Sequence, residues 1–354
     1  MKILFYINTI CHGGAERVMV NLAEQCSSHG HEVALATSYK SQGEYELSEN
    51  VKRIVLTDKK SGNFLVRNFR LIRLLHKKIK EEHPDVMVSF MAEPNFRALF
   101  ARKGKKTKNL ISVRNDPNRE YPTRMFKYLA RHLYKKADGV VFQTADAKAW
   151  FPEIIQKKST IIYNQVNEKF YNTPLLSERR DIVATGRLTA QKNHKMLIRA
   201  FSMIKDKTDD NLVIYGEGNL RGELEALIRE LGLEGRVLLP GATGNVADAL
   251  SKARLFVMSS DYEGMPNSLM EGMAIGLPCI CTDCPCGGPR EIIEDGVSGI
   301  LTPVADAEAF ANAMFSLLSD SERAEQIGRA ARERAERFAP DVIIKNWLSY
   351  IESI

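Results

Sequence analysis

Glu263 and Glu271 stand with seven residues between them, around a turn that follows an apolar run. Leu255-Phe256-Val257-Met258-Ser259-Ser260 reads as a buried strand, and Ser268-Leu269-Met270-Glu271-Gly272-Met273-Ala274 reads as a helix. Pro266 sits where a first helical residue tolerates proline, just ahead of Asn267 and Ser268. Such a helix start offers unpaired N–H groups and the positive end of a dipole, which suits a phosphate. The two carboxylates repel phosphate but accept hydrogen bonds from hydroxyls. Phosphate and hydroxyls together describe a nucleotide sugar. A Glu263 that caps the helix and a solvated Glu271 would explain the same pair.

Two cations extend the pattern. Gly186-Arg187-Leu188-Thr189-Ala190-Gln191-Lys192-Asn193 follows a strand-like run, so Arg187 and Lys192 share a loop at a strand's carboxyl end. Arg grips phosphate oxygens through its fork, and Lys acts as a point charge. Both would neutralise charge on a leaving diphosphate. Two solvated loop cations would give the same spacing. Gly216-Glu217-Gly218 and Pro240-Gly241-Ala242 end later strands, where glycine permits close backbone approach or makes an ordinary turn. Thr9-Ile10-Cys11-His12-Gly13-Gly14-Ala15-Glu16 joins the first strand to the first helix. Its Gly13-Gly14 pair can bring N–H groups to a phosphate, but it is no G-x-G-x-x-G fingerprint. Cys279, Cys281, Cys284 and Cys286 invite a metal reading. Cys279 and Cys281 lie in a strand-like run and share one face, so buried small hydrophobes are the better reading.

These residues need a scaffold of alternating strands and helices, and the chain supplies it twice. Strand-like runs fall at 2–7, 32–38, 53–56, 85–90, 109–113, 139–143 and 160–163, with helices at 15–28, 64–82 and 124–136. Residues 172–180 lack periodicity and contain Pro174, which reads as a linker. Further strands follow at 181–185, 212–215, 237–239, 255–258, 278–282 and 299–301, with helices at 194–204, 220–231, 246–251 and 267–275. Such alternation predicts α/β structure with parallel sheets covered on both faces. Two doubly wound domains in tandem place a ligand crevice at the carboxyl ends of their strands. The tail from 306 is helical, with Trp347, Leu348 and Ile351 on one stripe that must dock on a core.

The 354 residues suffice for about two domains. No run is long and apolar enough to span a bilayer, and Met1 to Ile7 is a short strand rather than a signal peptide, which points to the cytoplasm. The net charge of +6 conceals an asymmetry. Residues 1–170 carry 30 basic against 17 acidic side chains, while the remainder carries 20 against 27. The first half therefore calls for an anionic partner. Nucleic acid is not the expected partner, since the chain has no recognised binding motif or stacking aromatic array.

Taken jointly, Glu263 with Glu271, Gly186-Arg187 with Lys192, Gly216-Glu217-Gly218, the Gly13-Gly14 pair and Gly287-Gly288-Pro289-Arg290-Glu291 resemble glycosyltransferase family four. These are retaining, nucleotide-sugar-dependent enzymes of the GT-B fold, and the resemblance covers essentially the whole chain. It implies two Rossmann-like doubly wound domains facing across a cleft. The acceptor-binding domain would span 1–172 and the nucleotide-sugar-binding domain 173–337, with a terminal helix of about 338–354 packing back on the first. Arg187 and Lys192 would hold the donor diphosphate, and Glu263 would contact sugar hydroxyls. The backbone of Gly264, Met265, Pro266, Asn267, Ser268 and Leu269 would serve sugar and phosphate, and Glu271 the ribose. Gly13 and Gly14 would face the diphosphate, and Gly216, Gly218 and Gly241 would border the donor. The family needs no cofactor or divalent cation, and this chain has no Asp-x-Asp.

One departure matters. Where many members have a His-Asp pair, this chain has Ser112-Val113-Arg114-Asn115-Asp116-Pro117, with Asn115 at the His position. Asn hydrogen-bonds a hydroxyl but does not titrate. That fits a same-face mechanism in which the leaving phosphate takes the acceptor proton. Arg114, Asn115 and Asp116, with Glu93 in Met91-Ala92-Glu93-Pro94-Asn95, resemble the subgroup making bacterial exopolysaccharide, capsule or O-antigen, and would line the acceptor side. Arg67, Arg70, Arg73, Lys77 and Lys78, with the runs 102–106 and 131–136, form a basic surface that could lie on an anionic membrane. A solvated face over a core-facing Leu stripe would look the same.

The expected activity is transfer of a hexosyl unit from a UDP-sugar to a lipid-linked or oligosaccharide acceptor, peripheral on the inner face of the plasma membrane. A sugar-nucleotide epimerase of the same fold is the second enzyme class. A catalytically inactive partner of a glycan assembly complex would show eroded cations and carboxylates, which this chain keeps.

Overall fold

The apolar runs of the first half become seven parallel strands: β1 (Lys2–Ile7), β2 (Glu32–Thr37), β3 (Val51–Val55), β4 (Val86–Phe90), β5 (Lys108–Ser112), β6 (Gly139–Phe142) and β7 (Ser159–Ile161). Their order is β3-β2-β1-β4-β5-β6-β7. The computed structural model describes residues 1–11, 13–58, 62–102 and 106–354. His12 of the first-loop segment and Lys103, Gly104 and Lys105 of the basic run lie outside the described residues. The chain divides into two compact units, Met1–Asn164 with Asp341–Ile354, and Gln165–Pro340.

In the first unit, helix α1 (Gly14–Ser28) turns Val18, Leu22 and Cys26 inward, as its spacing predicts. Helix α2 (Phe64–Glu82) starts at an Asn63 cap whose side chain accepts from the Val66 N–H, and buries Leu71, Leu75 and Ile79. Helix α3 (Ala92–Ala101) escapes the sequence reading, because Pro94 argues against a helix although a first turn tolerates it. Two further helices are α4 (Pro117–Glu120) and α5 (Arg124–Leu133). The expected helix 124–136 ends at Leu133 and tightens into a 3-10 turn over Tyr134–Lys136. The terminal helix Pro340–Ser353 packs in this unit's core through Ile343, Ile344, Trp347 and Ile351. Trp347 lies 5.8 Å from Phe90, ring to ring, and the Tyr350 hydroxyl accepts from the Val140 N–H at 3.0 Å.

The second unit holds β8 (Ile182–Thr185), β9 (Leu212–Tyr215), β10 (Val237–Gly241), β11 (Leu255–Met258), β12 (Cys279–Thr282) and β13 (Ile300–Thr302), again all parallel. The order β10-β9-β8-β11-β12-β13 reverses direction between β8 and β11. At such a switch point the loops leaving neighbouring strands diverge and open a crevice. The four clustered cysteines are free, buried thiols. Burial pushes the Cys284 thiol up to about 12.

The boundary read at 172 lies earlier in the structure. Residues 165–172 pack with the second unit because the Val166 N–H donates to the Phe338 carbonyl at 2.9 Å and the Tyr171 hydroxyl to the Ala335 carbonyl at 2.7 Å. Nor is 172–180 a free linker, since the Leu176 and Arg180 N–H groups donate to the Ser251 and Lys252 carbonyls. Among the described residues no helix is long and apolar enough to cross a membrane.

Candidate functional site

The strand order of the second unit decides which side chains meet. β8 and β11 are neighbours, so the loop after β8 and the loop after β11 flank the switch point. Lys192, at the end of the first loop, reaches Glu263 on the second, with Nζ 2.6 Å from Oε1. The Ser260 hydroxyl lies 2.8 Å from the same Oε1. Among the described residues no hydrogen bond reaches Oε2, which leaves that oxygen for a ligand hydroxyl. Both side chains are largely enclosed, at 14% and 10% exposure, so the pair feels far less solvent screening than a surface bridge. Arg187 is exposed, and its guanidinium has no partner among the described residues. A guanidinium with no bond to break, on the loop that carries Lys192, can accept a phosphate without first losing a contact.

Several bonds stitch the two loops together. Asn193, in a left-handed conformation (φ 44°), donates from Nδ2 to Asp261 Oδ1 at 2.7 Å. The Gln191 amide donates to the Tyr262 carbonyl at 3.0 Å, and the Ser259 hydroxyl to the Lys192 carbonyl at 2.9 Å. The Glu263 N–H donates to the Pro285 carbonyl at 2.9 Å, its Oε1 is held by Lys192 and Ser260, and no side chain caps the helix that follows, so Glu263 is not its cap. That helix, Asn267–Ile275, has Pro266 as its cap residue and no side chain closing its end. Gly264, Met265 and Pro266 are buried, Asn267 and Ser268 are half-buried, and Leu269 is buried. Glu271 is buried on the helix rather than solvated.

The glycines have a demand of their own. A Cβ on Gly216 would lie 1.9 Å from the Gly186 carbonyl oxygen, and one on Gly218 would lie 2.3 Å from that of Leu188. A Cβ on Gly288 would lie 1.8 Å from the Gly264 carbonyl oxygen. Backbone packs on backbone here, which fixes the loops carrying Arg187 and Glu263. Gly241 has φ 97°, a left-handed value that favours glycine. Gly13 precedes α1, where a Cβ would strike the Glu16 carboxylate, and Gly14 is exposed at the first turn.

The residues singled out on the first unit spread over different roles. Asn115 is half-buried, and its Oδ1 accepts from the Asp116 N–H at 2.9 Å, which leaves the Nδ2 amide to donate. Asp116 is spent on capping α4, with Oδ1 accepting from the Asn118 N–H at 2.9 Å. Arg114 points into the unit: it bonds Asn164, lies 4.4 Å from the Phe90 ring centre, and is brought down to about 9 by burial. These contacts hold the Arg114 guanidinium within the first unit. Glu93, partly exposed at the start of α3, pairs with Arg97.

Sequence reasoning missed three groups. Arg97 is 2% exposed and bonds Asn8 at the end of β1 as well as Asn68. His194 is buried beside Lys192 with both ring nitrogens unpartnered. Burial, then the Lys192 charge, lower it to about 4, so the ring stays neutral beside the cations. Glu120 is a buried carboxyl at the end of α4. A single charged or polar residue on a helix reads as part of its solvated face, so the pattern marked none of the three.

Comparison with known proteins places these features in a lineage. Residues 12–170 match the profile of Glycosyltransferase Family 4, and residues 166–334 that of Glycosyl transferases group 1. The chain is 31% identical over 369 residues, 99% of each chain, to the N-acetylgalactosamine-N,N'-diacetylbacillosaminyl-diphospho-undecaprenol 4-alpha-N-acetylgalactosaminyltransferase of Campylobacter jejuni. It is 25% identical to the amylovoran biosynthesis glycosyltransferase AmsD of Erwinia amylovora, over 98% of each. Among solved structures, Anabaena HepE in complex with UDP and glucose superposes with a TM-score of 0.84 at 19% identity over 100% of both chains. The sucrose-phosphate synthase of Thermosynechococcus elongatus gives 0.86, also at 19%, over 99% of this chain and 98% of that one. At those identities the structural likeness shows the fold.

Proposed function

This chain belongs to glycosyltransferase family 4, and from that membership we propose that it moves a hexosyl unit from a UDP-sugar to a lipid-linked or growing glycan, with retention at the anomeric carbon. The observation that carries the reading is the Lys192–Glu263 pair at the β8/β11 switch point, with the exposed Arg187 on the loop that carries Lys192. In this reading Arg187 and Lys192 take the diphosphate, the free Oε2 of Glu263 accepts from a sugar hydroxyl, and Glu271 serves the ribose. The C1–O bond to the diphosphate breaks while the acceptor oxygen bonds C1 on the same face. The acceptor proton passes to the departing phosphate oxygen, so no protein base is needed. Two cations in a partly enclosed site supply the charge that a metal would otherwise bring. The undecaprenol-diphosphate acceptor named for the Campylobacter relative supports a lipid-linked acceptor here. Retained Arg187, Lys192, Glu263 and Glu271 speak against an inactive partner.

A panel of nucleotide sugars tests donor binding by thermal shift. A UDP-sugar at 100 times its dissociation constant stabilises the folded state by about 2.7 kcal/mol and raises Tm by several degrees. No shift with any nucleotide sugar would overturn the assignment.

The same reading places the first unit on an anionic membrane at the inner face of the cell. Helix α2 buries Leu71, Leu75 and Ile79, yet its first turns expose Phe64, Val66, Leu65 at 75% and Phe69 at 62%, beside Arg67 and Arg73. Exposed apolar tips flanked by guanidinium groups suit the headgroup boundary. Each buried CH2 is worth about 0.8 kcal/mol there, so Leu65→Asp with Phe69→Asp should cut cosedimentation with anionic vesicles at least about tenfold. Unchanged binding would reject this face.

A further inference from the structure

The carboxyl ends of β4 and β5 converge on a buried acid that the proposed chemistry does not use. Both carboxylate oxygens of Glu120 are buried and lack a hydrogen-bond partner, although the rest of the residue is partly exposed. The backbone N–H groups of Arg114, Ala92 and Asn115 face the carboxylate and favour its charged form, yet none closes to a hydrogen bond of ordinary geometry. The Ala92 N–H is presented by an unusual backbone: Met91, a non-glycine residue, has φ 74° and ψ 158°, and no side chain caps α3. Backbone held in that region costs about 1–3 kcal/mol and persists where function or packing requires it. Glu120 is thus the centre of a ring made of the start of α3, which carries Glu93, and the loop that carries Asn115.

We propose that Glu120 is a positioning residue: its carboxylate draws the Ala92, Arg114 and Asn115 N–H groups together and so sets the acceptor-side loops, with its protonation state controlling how firmly they are held. This rests on the reading of Glu93 and Asn115 as acceptor-side residues. The group titrates in the working range, because burial raises it to about 7. The Arg114 guanidinium favours ionisation of Glu120, while the phenols of Tyr121 and Tyr134 have their own ionisation opposed by it. On the adjoining elements, Glu93 and Arg97 of α3 pair with each other, and Asp116 accepts from the Asn118 N–H at the start of α4. For a carboxyl raised above its unfolded value, the stabilising contribution is full below the unfolded pKa of 4.5 and is lost as pH rises through about 7. Ionised Glu120 therefore costs stability while it tightens the loops.

That opposition makes the test sharp. Glu120→Gln keeps the shape and cannot ionise. At pH 8 its Tm should equal or exceed that of the wild type, while the rate of transfer from UDP-N-acetylgalactosamine to an undecaprenyl-diphosphate-linked N-acetylgalactosamine should fall roughly tenfold. The wild-type rate should climb through pH about 7, and the variant should lose that limb, with UDP affinity by calorimetry unchanged. Hydrogen exchange on the protein alone provides an arm independent of substrate choice: protection of the amides of residues 92 and 114–115 should increase through pH about 7 in the wild type only. Wild-type rate and pH limb in Glu120→Gln would overturn the inference, as would a lower Tm at pH 8 or pH-independent protection in the wild type. Lost UDP binding in the wild type would instead overturn the donor assignment.

Discussion

Glu263→Ala is expected to lower sugar transfer about a thousandfold while the protein remains folded. The carboxylate holds a cation and still offers an oxygen, since Lys192 and Ser260 both bond Oε1 and, among the described residues, nothing bonds Oε2. Removing a preorganised polar group from an enclosed site typically costs a hundredfold to a thousandfold in turnover. The variant also leaves Lys192 without its partner, but a lysine freed at the mouth of a crevice can turn to solvent or to the diphosphate. UDP binding should therefore survive while turnover collapses. Kinetics on the purified variant, with circular dichroism to confirm the fold, check this; full turnover would remove Glu263 from the site.

Lys192→Ala should cost about a hundredfold in transfer and, unlike the first variant, a measurable part of the fold's stability. Its loss strands a carboxylate that is only 10% exposed, with the Ser260 hydroxyl as its remaining side-chain donor among the described residues. Breaking a buried pair by removing one partner costs about 3 kcal/mol. Lys192 would also be missing from the diphosphate, so donor affinity should weaken along with turnover, where Glu263→Ala mainly affects turnover. Because the two side chains form one unit, the double variant should lose less than the sum of the singles. Strict additivity would mean that the ion pair has no part in catalysis.

Much of this scaffold was legible because parallel strands buried on both faces are nearly continuous apolar runs. Leu212–Tyr215, Leu255–Met258 and helix Asn267–Ile275 stand where the patterns place them. The two glutamates and two cations were legible as local spacing around strand ends. Their meeting was not: Lys192 and Glu263 are 71 residues apart, and only the strand order of the second unit brings their loops together. The partners of the glycines were equally hidden, since a sequence shows that close approach is permitted but not that Gly216 packs on the Gly186 carbonyl. The partners of Arg114 were hidden in the same way, since only the fold brings Asn164 and the Phe90 ring to its guanidinium. The unit boundary shifted because backbone bonds of residues 165–172 to the segment 335–338 leave no signature in hydrophobic pattern.

The most direct test of the account is to incubate the protein with a donor UDP-sugar labelled at C1 and a polyprenyl-diphosphate-linked sugar, then follow the product by mass spectrometry and by NMR of the labelled carbon. The account predicts an acceptor heavier by one sugar unit, UDP released in equal amount, and a new linkage with the anomeric configuration of the donor. Inverted configuration, or conversion of the donor to an epimer with the acceptor unchanged, would contradict it.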